Sequence, residues 1–495
     1  MRKEPISAKG IDVRIKPRDP FSIELKFIHQ LGTDREKYPR KRTIRTRIAF
    51  FLPYPFGIRP DTFDPEDFFD EIKLYLRFNT PSMSIPELVD RTNARSPLTR
   101  LLTRLTEDSL LLTTRDEYEA QMLGAIVKSA LREATTPLIT DDQQAEQEDI
   151  DRLAEQIALL SNGLTDLRTR IRRKADTLPK LRFVDEYVSL TIEDYVTRIL
   201  AHSNQSLDFS KLREAIASES RYRSSMGYPS KVGADDPPQV AEEYLYRSKL
   251  LKRYVSAFLF FEIRRGNQAK RVEQILAALA AGIAMAIATG ISFVGQVRFG
   301  SLSVTLFLIL VGAYMIKDRL KDLMRSLFHR TLGRLFFDRR TTFSDPLKEN
   351  TLGVVKERTT FLRPWQVDEE LEQTRAIGGF EKAIAETNPE SILEYTKRVT
   401  LRERRLRVTH HRLTGMADIN IFDLKDLLRH IAKQEELIPM LEGDKLSVVK
   451  RSRIYHLNMV ISSTDAGETA WQKIRLIVDA DGIKRIERPS SGGGI

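Results

Sequence analysis

Between Ile275 and Ile316 the chain carries a single charge. Ile275–Gly295 (ILAALAAGIAMAIATGISFVG) and Ser301–Ile316 (SLSVTLFLILVGAYMI) are uncharged, and only Gln296, Val297, Arg298, Phe299 and Gly300 separate them. A bilayer-spanning helix needs about 20 apolar residues rising roughly 1.5 Å each. The first run meets this length. The second, extended through Phe299 and Gly300, covers roughly 27 Å between Arg298 and Lys317 at the same rise. It needs local thinning of the bilayer or snorkelling by Lys317. Two buried helices of a globular protein could also be apolar all round. The length of the first run and the matching basic flanks favour a membrane hairpin, with spans 275–295 and 299–316.

The charge distribution points the same way. Residues 247–273 hold eight Lys/Arg against two Glu, and residues 317–340 hold eight against three Asp, which together account for the whole formal excess of +11. The positive-inside rule counts Lys and Arg close to the spans. Both flanks are basic and the connecting loop offers only Arg298, so both termini are expected in the cytoplasm. Anionic lipid is the expected partner of this charge, with headgroup contacts at Arg264, Arg265, Lys270, Arg271, Lys317, Arg319, Lys321 and Arg325. A nucleic-acid binder would place its excess on a soluble face, so nucleic acid is not expected.

The first span has a seam of small residues. Ala278, Gly282, Ala286 and Gly290 recur every four positions, and Ala280, Ala284 and Ala288 make a second row. Small residues let helix backbones approach closely in lipid. The favoured reading packs the first seam against the second span of the same hairpin. The sharper reading is self-association between protomers, giving a homo-oligomer. Neither span has an ionisable residue to mark an ion path.

The whole 495-residue chain divides by pattern into five parts. Residues 1–138 alternate as strands at Ile11–Ile15, Ser22–Ile28 and Thr43–Leu52, expected as a small antiparallel sheet. Helices follow, the first capped at Asp64-Pro65 with acids in its first turn. Asp61, Asp64, Glu66, Asp67, Asp70 and Glu71 are explained by the helix dipole and lack metal-ligand spacing. Residues 139–217 carry a heptad series, Ile150, Leu153, Ile157, Leu160, Leu164, Leu167 and Ile171. Gly163 weakens that helix and Pro179 ends or kinks it. The stripe packs either against Val184–Leu200 or against a second chain. Residues 218–240 read as a linker.

Residues 241–345 form the membrane module. Tyr244–Arg265 is helical in pattern, and a basic amphipathic helix over 317–340 follows the second span. That helix lies in the headgroup plane or packs on the protein itself. Residues 346–495 are expected to be a separate α+β domain. Its helices run from Asn388-Pro389 to about Val399 and over Asp418–Lys433. Its strands are Arg453–Ile461, Gln472–Val478 and Ile483–Arg488, the last two joined by a turn at Asp479-Ala480-Asp481-Gly482. The fold class is thus a mixed α/β (α+β) membrane protein with a two-helix transmembrane hairpin.

No cysteine is present, which excludes disulfides and thiolate chemistry. The first twenty residues have no apolar h-region and do not read as a signal peptide. The adjacent His410 and His411 do not share a face for chelation. No phosphate loop, nucleophile elbow, zinc-protease motif or dinucleotide fingerprint occurs. No cofactor, metal or catalytic residue is therefore assigned. The balance is against an enzyme, without excluding one, with Asp64, Asp67 and His410 as the residues to probe. The expected function is a two-pass, membrane-anchored cytoplasmic scaffold or signalling protein with an unknown cytoplasmic protein partner, in a bacterial inner membrane. An oligomeric membrane effector or transport component gated by its cytoplasmic domains, and a tethered enzyme, are the alternatives.

Overall fold

The computed structural model describes the chain except residues 1–11, 32–40, 64–67, 69–71, 106–112, 141–145, 174–178, 203–206, 230, 232, 234–235, 300–302, 333–336, 346–349, 377–389, 410–412, 414, 432, 443–444, 466 and 490–495. Among the described residues, twelve α-helices and three sheets make a mixed α/β fold. Four strands come first: β1 (Asp12–Asp19), β2 (Ser22–Gln30), β3 (Arg42–Leu52) and β4 (Ile72–Phe78). Then come α1 (Ile85–Val89), α2 (Pro97–Arg104), α3 (Thr114–Thr140), α4 (Gln147–Arg173), α5 (Pro179–His202), α6 (Ser210–Ser225) and α7 (Pro238–Ser256). Strand β5 (Glu262–Asn267) leads into α8 (Gln268–Phe299) and α9 (Val304–Leu332), and β6 (Arg339–Ser344) leads away. The rest is β7 (Thr351–Leu362), α10 (Glu369–Ala376), β8 (Ser391–Leu401), α11 (Glu403–Thr409), β9 (Gly415–Asp423), α12 (Lys425–Leu428), β10 (Glu435–Glu442), β11 (Lys445–Ser452), β12 (Tyr455–Asp465), β13 (Glu468–Asp479) and β14 (Gly482–Glu487).

The strands interleave. The four-stranded sheet has the order β1-β2-β9-β4, and the eight-stranded sheet runs β14-β13-β12-β3-β8-β7-β6-β5. Strand β3 therefore leaves the expected N-terminal sheet and sits between β8 and β12. Its sequence explains why. Ile48, Ala49, Phe50, Phe51 and Leu52 are all buried, on both faces, which requires a central strand with cover on each side. Apart from the β1–β2 pairing, sheet partners for residues before 80 thus come from residues after 390, and the two regions expected as separate units share both sheets.

Two expected helices are strands. Residues 391–399 belong to β8, because Leu393, Tyr395, Val399 and Leu401 of that strand alternate inward between two hydrogen-bonded neighbours. Residues 418–423 belong to β9, leaving only the one-turn α12, although Leu424, Leu427, Leu428 and Ile431 are all buried as a face. Likewise the helical pattern from Tyr244 stops at Ser256, and Glu262–Arg265 are strand. The Asp479–Gly482 turn is a hairpin as expected: Gly482 has φ +115°, and a Cβ there would strike the Pro20 carbonyl. The helix starts at Asp64 and Asn388, the acids at 64, 66, 67, 70 and 71, and His410 and His411 lie outside the described residues.

The heptad stripe is internal. Ile150, Leu153, Ile157, Leu160, Leu164, Leu167 and Ile171 are all buried in the core shared by the helices. Gly163 is where α1 crosses α4: a Cβ there would lie 2.5 Å from Val89 Cγ1. Arg91 ties the crossing by donating to the Gly163 carbonyl at 3.1 Å and to Asp166 at 2.9 Å. Between the two sheets lies an aromatic core, with Phe50 5.6 Å from both Phe68 and Phe422 in edge contacts.

Candidate functional site

The last pair between β5 and β6 is Asn267 with Arg339, and α8 and α9 leave the sheet edge from there as an antiparallel helical pair. Within Gln274–Arg298 of α8, the most apolar 18-residue stretch has a mean hydropathy of 2.1 and is 11% buried. It is the one helix among the described residues long and apolar enough to cross a membrane. Helix α9 does not qualify. Its apolar part ends at Ile316, and Lys317, Asp318, Arg319 and Lys321 follow at once in the same continuous helix. Both helices expose large apolar side chains, including Leu279, Met285, Phe293, Phe307, Leu308 and Met315.

The contact between them uses the second small-residue row. Ala280, Ala284, Ala288 and Gly295 are buried together with Leu306 and Ala313. A Cβ at Gly295 would meet Leu306 and Ile309 at 3.3 Å. The row expected at this contact, Ala278, Gly282, Ala286 and Gly290, is exposed, and nothing lies within 4 Å of a Cβ built on either glycine. The rows are two positions apart, about 200° around the helix, so one neighbour cannot cover both.

The expected headgroup residues are on the outside where described. Arg264 is 67% exposed beside Glu262, and Arg265, Arg319 and Lys321 are exposed. Lys317 folds over the Tyr314 ring at 3.9 Å and lies 3.7 Å from Asp318. The side chains of Lys270, Arg271 and Arg325 lie outside the described residues.

Beneath the hairpin, a polar row crosses the eight-stranded sheet. Register aligns Arg339, Glu357, Lys397, Thr46 and Ser463 on successive strands. Arg339 grips the buried Glu357 with bonds of 2.8 and 3.1 Å, and the Tyr395 hydroxyl donates to Glu357 at 2.6 Å. Burial first, then the Glu357 charge, holds the Tyr395 phenol well above its usual range. Lys397 crosses to the other sheet, pairing with Asp418 and donating to Asn420 Oδ1 at 2.7 Å; Asn420 donates to Asp418 at 3.2 Å. His29 is buried here, and among the described residues neither of its ring nitrogens has a hydrogen-bond partner. Burial pushes its imidazole below the ordinary 6.5, against the opposing pull of Asp418. Arg339 and Glu357 thus tie the exit strand β6 to β7, and Lys397 and Asp418 tie β8 to β9 of the other sheet.

Sequence reading missed this row because its charged members sit at inward positions of strands not identified as central. The signal available was parity: Lys397 shares a face with Tyr395 and Val399. It also missed β10 and β11, which among the described residues pair only with each other and leave Leu437, Leu441, Leu446 and Val448 more than half exposed. Among the described residues, no group of three His, Asp or Glu side chains is gathered to hold a metal. No family model and no curated protein matches the chain.

Proposed function

We propose that this protein is a membrane-attached scaffold or signalling protein whose α8–α9 hairpin enters the bilayer and whose sheets and helices form one body on the cytoplasmic side. The observation that carries this reading is the apolar length of α8, which, beyond the face that meets α9, is left exposed among the described residues. The β5–β6 pairing supports a return to the same side, since the chain segments before α8 and after α9 are hydrogen-bonded neighbours. Strand directions add support. Strands β3 and β7 run parallel to β5, so Tyr54 and Trp365, just past their ends, lie at the sheet edge from which the helices leave. Tyr54 is 59% and Trp365 74% exposed, each beside an arginine (Arg59 at 4.3 Å, Arg363 at 5.2 Å). Amphipathic aromatics beside cations suit a membrane–water interface.

The test is topology in cells, with single cysteines at Ser225, Arg298 and Ser490 and an impermeant thiol reagent. Labelling of position 298 alone in intact cells is expected. Labelling of 490 but not 225 would mean one crossing and would overturn the proposal.

The exposed row Ala278, Gly282, Ala286 and Gly290 favours a second reading, an oligomeric membrane effector assembled through that face. Dye leakage from liposomes holding wild-type protein but not Ala286→Leu would support it; intact vesicles throughout would sink it.

A further inference from the structure

Helix α3 lies in a groove between α5 and α7. A Cβ on Gly124 would come within 2.8 Å of Val255 and 3.4 Å of Val184, and Tyr118 stacks edge-on with Phe258 at 5.2 Å. One turn beyond Gly124, the groove becomes cationic. Lys128 and Arg132 share a face of α3 at an (i, i+4) spacing. Lys252 comes from α7, Arg198 from α5, Arg77 from β4 and Lys26 from β2. Strand β4 meets the end of the α7 segment through a bridge between Arg77 and Phe260, and the Arg77 guanidinium lies over that ring at 5.6 Å.

Six cations thus converge from five elements, and among the described residues none has a carboxylate within ion-pair distance. Their polar contacts are to neutral groups: Arg77 donates to the Phe78 carbonyl at 3.1 Å and Thr80 at 3.0 Å, and Arg132 donates to Ser129 at 3.1 Å. Arg198 lies over the Tyr195 ring at 5.3 Å. Lys26, Arg77 and Lys128 are half-buried. Burial, followed by repulsion from Lys252, Arg132, Arg198 and Arg77, lowers Lys128 to about 8. Lys26 and Arg77 are shifted down by burial first and then by neighbouring arginines, against a smaller opposing pull of Glu24 on Lys26. Lys397, by contrast, pairs with Asp418, and Arg168 with Glu219. A half-buried set of like charges costs stability unless something anionic offsets it.

We propose that Lys26, Arg77, Lys128, Arg132, Arg198 and Lys252 form a binding site for a phosphate-bearing anion. Arg132 and Arg198 offer forked donors suited to phosphate oxygens, and the lysines supply point charge. The site belongs to the helical and sheet body and does not depend on the membrane reading. Either a free phosphate compound or a lipid headgroup presents this chemistry.

The test is thermal melting of the full chain at constant ionic strength, with pyrophosphate in detergent as one arm. The other arm is bilayer nanodiscs of phosphatidylcholine with or without phosphatidylglycerol. Pyrophosphate is expected to raise the wild-type melting temperature by at least ~2 °C. The response is expected to vanish in Lys128→Gln/Arg132→Gln, whose unliganded form melts higher because repulsion is relieved. Arg198→Gln/Lys252→Gln, at exposed positions, repeats the test without disturbing the groove. If only phosphatidylglycerol stabilises the wild type, and neither variant responds, the anion is a lipid headgroup. Absence of stabilisation by either anion, or variants that respond as the wild type does, would overturn the proposal.

Discussion

Lys397 and Asp418 are paired out of reach of water, and each is held by Asn420. Removing one partner leaves the other charge buried and unsatisfied, which costs about 3–5 kcal/mol. Lys397→Met is therefore expected to lower the unfolding midpoint sharply, and Lys397→Met/Asp418→Leu to recover much of the loss; denaturant titration of both reads the coupling. His29 gives a pH dependence of known sign. Its folded-state pKa lies below the ordinary 6.5, so the unfolded chain takes up its proton first. Its share of stability is complete above that value and falls as pH drops below it, by up to about 1.4 kcal/mol per pH unit. His29→Phe is expected to flatten the melting temperature between neutral and mildly acid pH. Gly163 shows how propensity and packing compete. Alanine gains about 1 kcal/mol of helix propensity, yet its methyl would lie 2.5 Å from Val89. Overpacking of about 1–3 kcal/mol outweighs it, so Gly163→Ala is expected to destabilise in the same titration.

At the scale of elements, α8 presents two small-residue rows with different neighbours. Ala284 faces α9 and Ala286 does not. Ala284→Leu is expected to spread the hairpin and expose a cysteine placed at Leu306 to thiol reagent in detergent. Ala286→Leu is expected to leave that cysteine protected. Among the described residues the β10–β11 ribbon has no third strand, and a two-stranded ribbon is marginal alone in water. Its apolar run Leu437–Leu441 was present in the sequence, but nothing local reveals what would cover it. The heptads of α4 were legible as a stripe from spacing alone. That the stripe is buried within its own chain depends on which helices surround it, and spacing does not encode that.

For the whole molecule, the interleaved sheets make a firm expectation. Strand β3 has its hydrogen-bond partners in β8 and β12, and β9 has its partners in β2 and β4. A fragment of residues 1–240 exposes one side of each pairing, and a fragment of 346–495 exposes the other. Neither is expected to be soluble when expressed alone, and co-expression is expected to recover a complex by co-purification. Two independently soluble fragments would refute the shared sheets. The sequence by itself determined what local pattern can carry: the apolar length of α8, its basic flanks, the amphipathic stripe of α4, the first two strands and the turn at Gly482. Only the tertiary structure decided the rest. Which row of alanines meets α9, which strands flank β3, and which cations stand together in the α3 groove all depend on residues far apart in the chain. A periodicity reports which face of an element is apolar; it does not report what that face will meet.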